Sequence, residues 1–190
     1  MDRAEKTWQQ PTDKQSRTTT HTQASAMFRA FLLIAVAVFL AGCASGPRFL
    51  TYDGPEVTRI TVEKAQRRMT LWHHDDALQV FNVQLGRNPV GHKRQRGDGR
   101  TPEGNYYIDR RNPRSQFHLS LGINYPDDRD RENANEAGVN PGGDIFIHGR
   151  GRDFRRARGD WTEGCIAVTD REIELIYAMV QDGTPITILP

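Results

Sequence analysis

The chain has 190 residues, a formal charge of +2, 36% hydrophobic and 26% charged residues, which allows one modest core and an appendage. Dividing the charge removes most of its meaning: five Lys/Arg and three Asp/Glu lie in residues 1–43, and the rest of the chain carries 21 of each. A near-neutral domain argues against nucleic-acid binding, which draws on a basic domain.

Residues 1–26 are polar, rich in Thr and Gln, and without hydrophobic periodicity. They read as a disordered leader, or as translation from a start upstream of the true one at Met27. Arg29 then precedes an apolar run from Ala30 to Leu40. A bilayer span needs about 20 residues, so this run reads as the core of a secretory signal over residues 27–43. Its end, Leu40-Ala41-Gly42-Cys43, resembles the lipobox of bacterial lipoproteins. That resemblance implies cleavage before Cys43, lipidation there, and a membrane anchor. Ala44 in place of Asp favours the outer membrane by the same analogy, on the periplasmic side of the cell envelope. Ser45-Gly46-Pro47 and Asp53-Gly54-Pro55 punctuate a linker over residues 44–56. A flexible tether of that length spans roughly 20 Å.

The domain proper, residues 57–190, contains many short β-like runs: Ile60–Val62, Met69–Trp72, Leu78–Leu85, Tyr106–Ile108, Phe117–Leu121, Ile145–His148 and Ile186–Ile188. Between residues 117 and 121, Phe117, Leu119 and Leu121 alternate with His118 and Ser120, as in a half-buried strand. One helix is clear. Thr169 and Glu172 form a capping-box pattern ahead of Ile173, Ile176, Tyr177 and Val180, with Gly183 as the expected left-handed stop. The expected fold class is mainly β, a sandwich or partly closed barrel with one C-terminal helix.

Two cysteines occur in the chain. Lipidation of Cys43 leaves Cys165 unpaired in an oxidising compartment, so it is either an inert core residue or a reactive thiol. His148 ends an apolar strand just before Gly149, and Thr162-Glu163-Gly164-Cys165 follows after a loop rich in Arg and Gly. A thiol is only slightly ionised at neutral pH and needs a base, which a strand-end His supplies. The Gly164-Cys165 turn can aim backbone N–H groups at one point, as an oxyanion hole requires. A buried Cys and a hydrogen-bonded strand His explain these residues equally well on spacing alone.

His148-Gly149 followed by Thr162-Glu163-Gly164-Cys165 resembles the signature of the L,D-transpeptidase (YkuD-type) family. Gly91-His92-Lys93, Gly97-Asp98-Gly99-Arg100-Thr101-Pro102-Glu103-Gly104, Phe117–Gly122 and Gly143–Gly149 are also similar to it, in the family's order from about residue 58 to the C-terminus. The resemblance implies a β-rich domain acting on peptidoglycan stem peptides, in cell-wall organisation and cell shape. Cys165 attacks the carbonyl of the third stem residue, commonly meso-diaminopimelate. D-Alanine leaves, protonated by His148, and an amine from another stem or from an envelope lipoprotein takes the acyl group. His148 is oriented by the carbonyl of Gly149, and the amides around Glu163, Gly164 and Cys165 hold the oxyanion, with Thr162 in support. No metal or organic cofactor is implied. The pair should also make Cys165 alkylate faster than a free thiol near pH 7, an advantage that His148→Ala removes.

Glu163 stands where the family usually has His, and Ala167 where Asn or Arg is usual. A carboxylate about 6 Å from a thiolate costs about 2–3 kcal/mol at an effective dielectric near 20, so Glu163 must point away or pair with an Arg. Arg150, Arg152, Arg155, Arg156 and Arg158 read mostly as a solvated loop with salt bridges to Asp153 and Asp160. Arg150, Arg152 and Arg155 are the candidates, one or two of them, to receive stem carboxylates. The basic stretch from Lys93 to Arg100 reads in the same way, and His73, His74 and His92 as surface residues, with no second cluster at metal-ligand spacing. Two further readings stay open: an L,D-carboxypeptidase or amidase on the same scaffold, and a non-catalytic wall-binding lipoprotein.

Overall fold

The computed structural model describes residues 49–190. The leader, the signal segment with Cys43 and the start of the tether lie outside the described residues. Residues 49–56 run as irregular chain, with Phe49 against the Tyr177 ring and Tyr52 packed against the core.

The domain is built on one mixed eight-stranded sheet. In chain order its elements are β1 (Arg59–Glu63), β2 (Arg68–His73), β3 (Asp76–Asn82), β4 (Gly104–Ser115), β5 (His118–Ile123), α1 (Asp128–Glu136), β6 (Phe146–His148), β7 (Ile166–Ala167), α2 (Asp170–Met179) and β8 (Pro185–Leu189). Across the sheet the order is β3-β2-β1-β8-β4-β5-β6-β7. Two contacts are parallel, β1 with β8 and β6 with β7. Strand β4 joins the two halves: Gly104–Tyr107 pairs with β8, and Ile108–Ser115 pairs with β5. The sheet is not closed, but Gln84, beyond β3, exchanges two backbone hydrogen bonds with Ala167 of β7, at 2.9 and 2.7 Å. This bridge brings the far edges together, consistent with the β-sandwich expected of the family.

One apolar cluster fills the interior and draws on every strand and on α2. Ile60, Met69, Phe81, Ile108, Leu121, Ile147, Ile166, Ile173, Ile176 and Ile188 all belong to it. Thr169 caps α2: its hydroxyl accepts the Glu172 N–H, and the Glu172 carboxylate accepts the Thr169 N–H. The helix ends as Val180 turns extended, at φ −92°, and not in a left-handed Gly183. Gly183, at φ +89°, instead shapes the turn into β8.

Three other local expectations change. Strand β4 is 12 residues long, far beyond Tyr106–Ile108, because its two ends serve different partners. Strand β5 is buried on both faces from Leu119 to Ile123, since it lies between β4 and β6 with α2 packed on one side. Helix α1 has no counterpart in the apolar pattern. Only Asp130 and Ala134 are buried in it, and a capping box between Asp127 and Asp130 starts it.

Candidate active site

Strand register places the two candidate catalytic residues. Ile147 pairs with Ile166 and His148 with Ala167 in the parallel β6–β7 ladder. Continued by one residue, this register sets Cys165 level with Phe146. Side chains alternate along a strand, so Phe146, His148, Cys165 and Ala167 share the face opposite to the core residues Ile147 and Ile166. Cys165 and His148 are therefore diagonal neighbours, about 4.8 Å apart across the sheet and about 6.6 Å along it.

His148 is 2% exposed. Its Nδ1 lies 2.5 Å from the Gly149 carbonyl oxygen, which can only accept, so Nδ1 carries the proton and Nε2 is left as the basic nitrogen. The ring stacks on Phe117, with centroids 4.4 Å apart, and meets Trp161 edge-on at 5.8 Å. Burial holds the imidazole pKa below its ordinary 6.5, partly opposed by the Gly149 bond. The neutral ring is therefore the dominant form at pH 7. The chain following His148 is packed too tightly for a side chain at Gly149. A Cβ there would lie 2.7 Å from both Asp170 Oδ1 and the Phe117 carbonyl oxygen. Asp170 Oδ1 also accepts the N–H groups of Arg150 and Gly151, at 2.7 and 2.9 Å, tying this corner to the start of α2.

The turn at Cys165 is closed by Thr162. Its hydroxyl donates to the Cys165 carbonyl at 2.7 Å and accepts the Gly164 N–H at 3.1 Å. Gly164 sits at φ +130°, and a Cβ would come 2.5 Å from the Arg100 carbonyl oxygen, so only glycine fits. Because Thr162 already engages the Gly164 amide, the amides of Glu163 and Cys165 remain the oxyanion candidates.

The thiol itself is hydrogen-bonded away from His148. Cys165 Sγ donates to the Asp144 carbonyl at 3.5 Å, and no hydrogen bond joins it to the imidazole. Burial pushes its pKa up from 9.0 to about 11; the Phe146 amide bond pulls down, and the Asp144 charge adds to the rise. The resting thiol thus bonds a backbone carbonyl, where a pre-activated pair would bond the imidazole. Catalytic hydrogen bonds commonly tighten only when substrate binds.

Glu163 resolves differently from the expected loop arginines. It forms an exposed ion pair with Arg87, 76 residues away in sequence, and is not among the charges that shift the thiol. None of Arg150, Arg152, Arg155, Arg156 or Arg158 makes a salt bridge among the described residues. Asp160 pairs with Arg67 at 2.8 Å instead. Arg152, Arg155, Arg156 and Arg158 are exposed, as expected of a solvated loop.

The stretch from Lys93 to Arg100 is not merely a solvated basic run. Lys93 is 3% exposed and bonds Asp98 at 2.8 Å. The Asp98 carboxylate also accepts the N–H groups of Arg94, Gln95 and Arg100. Asp98 thus organises the loop whose Arg100 carbonyl presses on Gly164. Its quoted motif signalled importance, but nothing in spacing gave its role. His92 is only partly exposed, and both its ring nitrogens are engaged. Its Nε2 lies 3.1 Å from Asp130, and its Nδ1 accepts the Glu103 N–H at 3.0 Å. Among the described residues no group of three or more His, Cys, Asp or Glu could hold a metal ion.

Residues 57–188 match the family model of the YkuD L,D-transpeptidase catalytic domain. No curated protein matches the chain. Among solved structures, the helical cell shape determining protein Pgp2 from Campylobacter jejuni aligns with a TM-score of 0.56 at 22% identity, over 80% of this chain and 54% of that one. Bd1075 of Bdellovibrio bacteriovorus aligns with a TM-score of 0.53 at 23% identity, over 74% and 51%. The chain spans about half the length of these structures, and at such identities the likeness is one of fold. The family match covers the strands, the His148 corner and the Cys165 turn together: this chain belongs to the YkuD family of L,D-transpeptidase catalytic domains.

Proposed function

We propose that the domain is a peptidoglycan L,D-transpeptidase with Cys165 as nucleophile and His148 as acid and base. The observation that carries this reading is the shared face of β6 and β7, where a neutral His148 presents Nε2 on the same side as the Cys165 thiol. Substrate carbonyl binding draws Sγ from its Asp144 contact. The thiol proton passes to His148 Nε2 as the S–C bond forms, and the Glu163 and Cys165 amides receive the oxyanion. The C–N bond to D-alanine then breaks, with His148 returning the proton to the leaving amine. In the second half, His148 takes a proton from the acceptor amine as it attacks the thioester, and the thiol leaves protonated.

A bulky carbonyl electrophile tests this directly. Incubation with a carbapenem, followed by intact-protein mass spectrometry, should give one adduct on the peptide containing Cys165. Incubation with purified muropeptides should give cross-linked or amine-transferred products. No adduct at any pH between 6 and 9 would sink the nucleophile assignment. Hydrolysed stems alone would favour the carboxypeptidase or amidase reading.

The proposal extends to placement. Cys43, outside the described residues, is the lipidation site that tethers the domain to a membrane of the cell envelope. Mature protein from the native host should carry lipid at Cys43 and lose membrane partitioning in Cys43→Ser; an unlipidated wild-type N-terminus would refute the anchor.

A further inference from the structure

The wall that sets the plane of the His148 ring is built by a hairpin tip. Ser115 of β4 pairs with His118 of β5, leaving Gln116 and Phe117 as a two-residue tip. The tip is seated on the backbone that follows His148. A Cβ at Gly149 would meet the Phe117 carbonyl oxygen at 2.7 Å, and one at Gly151 the Gln116 carbonyl oxygen at 2.4 Å. Two glycines thus let the tip rest directly on main chain beside the imidazole.

The Phe117 side chain is the part of the tip that reaches the ring. It lies on His148 with centroids 4.4 Å apart and planes 25° from parallel. Trp161 bounds the same imidazole edge-on at 5.8 Å, and its Nε1 donates to Gln84 Oε1 at 2.9 Å. The Gly149 carbonyl holds the imidazole at Nδ1 alone. One hydrogen bond leaves the tilt of the ring free, and the tilt decides where Nε2 points. A stacked face and an edge wall remove that freedom.

His118 shows what holds Phe117 in place. It is a non-glycine residue at φ +81°, a backbone conformation that persists where surrounding contacts impose it and that gathers at functional sites. The contact here crosses to α2: His118 Nε2 lies 2.7 Å from Glu174 Oε1, and both side chains are largely buried. The same helix starts at Asp170, which accepts the Arg150 and Gly151 N–H groups. Helix α2 therefore ties together the tip and the chain it rests on.

We propose that Phe117 is a positioning residue for His148, its ring fixing the imidazole plane that aims Nε2, and that the His118–Glu174 bond holds Phe117 there. The inference rests on His148 serving as acid and base. Small errors in placing a catalytic group cost large factors in rate, while substrate affinity and the resting thiol are untouched. A side chain that only filled space would act through stability instead.

The test uses the full chain with Phe117→Leu, which keeps apolar bulk without a ring, and Phe117→Tyr, which keeps the ring. A third variant, Glu174→Ala, alters a residue that touches neither His148 nor Cys165. Acyl-enzyme formation, followed by intact mass against stem-tetrapeptide concentration, separates the maximal rate from KM. Phe117→Leu should lower the maximal rate about tenfold with KM within about twofold, and Glu174→Ala should lower it about threefold. Phe117→Tyr should restore the rate to within about threefold of wild type. Iodoacetamide should alkylate Cys165 within about threefold of the wild-type rate in all three, showing an intact thiol turn.

A second readout needs no turnover. Burial holds the His148 imidazole below its ordinary 6.5, so opening one face in Phe117→Leu should move its NMR titration upward, while Phe117→Tyr leaves it in place. A maximal rate within about twofold of wild type in Phe117→Leu, or a loss that Phe117→Tyr does not restore, would overturn the positioning role. A loss accompanied by a lower Tm and an unmoved His148 titration would overturn it in favour of plain packing. An unchanged rate in Glu174→Ala would overturn the tether through His118. A wild-type protein that forms no acyl-enzyme on Cys165 would overturn the assignment of His148 as base, and this inference with it.

Discussion

Alkylation of the resting protein by iodoacetamide tests how Cys165 is activated. A thiol pushed from 9.0 to about 11 is ionised about one part in ten thousand at pH 7, against about one part in a hundred for an ordinary thiol. Two pKa units correspond to about 2.7 kcal/mol. The rarer thiolate is also the better nucleophile: with a Brønsted slope near 0.45, two units return a factor of about eight. The net expectation is alkylation roughly tenfold slower than a free thiol at pH 7, with a rate that keeps rising about tenfold per pH unit to beyond pH 10. His148→Gln should leave this resting rate within about threefold, because no hydrogen bond joins the thiol to the ring, yet should abolish acylation by a stem peptide. The rate is read by quenched mass spectrometry from pH 6 to 11. A plateau with a midpoint below pH 7, lost in His148→Gln, would refute the argument and establish a resting thiolate–imidazolium pair.

Asp98 tests the loop that supports the Cys165 turn. Burial alone would raise its pKa, but Lys93 and three backbone amides overcome this and draw it from 3.8 to about 2, a shift of about 2 kcal/mol. The folded-state value is depressed, so this stability is fully present above pH 4 and is lost as pH falls from about 4 to 2. Asp98→Asn should flatten that acid limb and, by stranding buried Lys93, cost about 3 kcal/mol at pH 7 in urea denaturation; a loss under about 0.5 kcal/mol would refute the hub role. Gly149→Ala forces a methyl against Asp170, Phe117 and Ile173. It should cost about 1–3 kcal/mol and slow acylation at least tenfold by shifting the His148 corner. A variant with unchanged Tm and acylation rate would show that this corner is not tightly packed.

What depended on neighbours in the chain was legible in the sequence. The Thr169–Glu172 capping box, the helix after it and most β runs are set by residues within one or two turns, where propensity and periodicity act. The motifs around His148 and Cys165 were legible for the same reason, since each is a short backbone turn. Helix α1 escaped because it buries only two residues, too few to print a 3.6-residue pattern. The length of β4 escaped because one end pairs with the adjacent β5 and the other with the distant C-terminal β8.

The electrostatics of the site were decided by tertiary structure alone. Whether Glu163 faces the thiol depends on Arg87, brought beside it by the backbone pairing of Arg87 with Thr162. Whether Cys165 rests ionised depends on its burial and on the Asp144 carbonyl, neither of which is local to the turn. The burial of Lys93 depends on a loop folding back through Asp98. Charge interactions act through space and scale with desolvation, and chain order records neither distance nor burial. The sequence by itself thus picked out His148 and Cys165 as candidates, while only packing decided which charges and hydrogen-bond partners surround them.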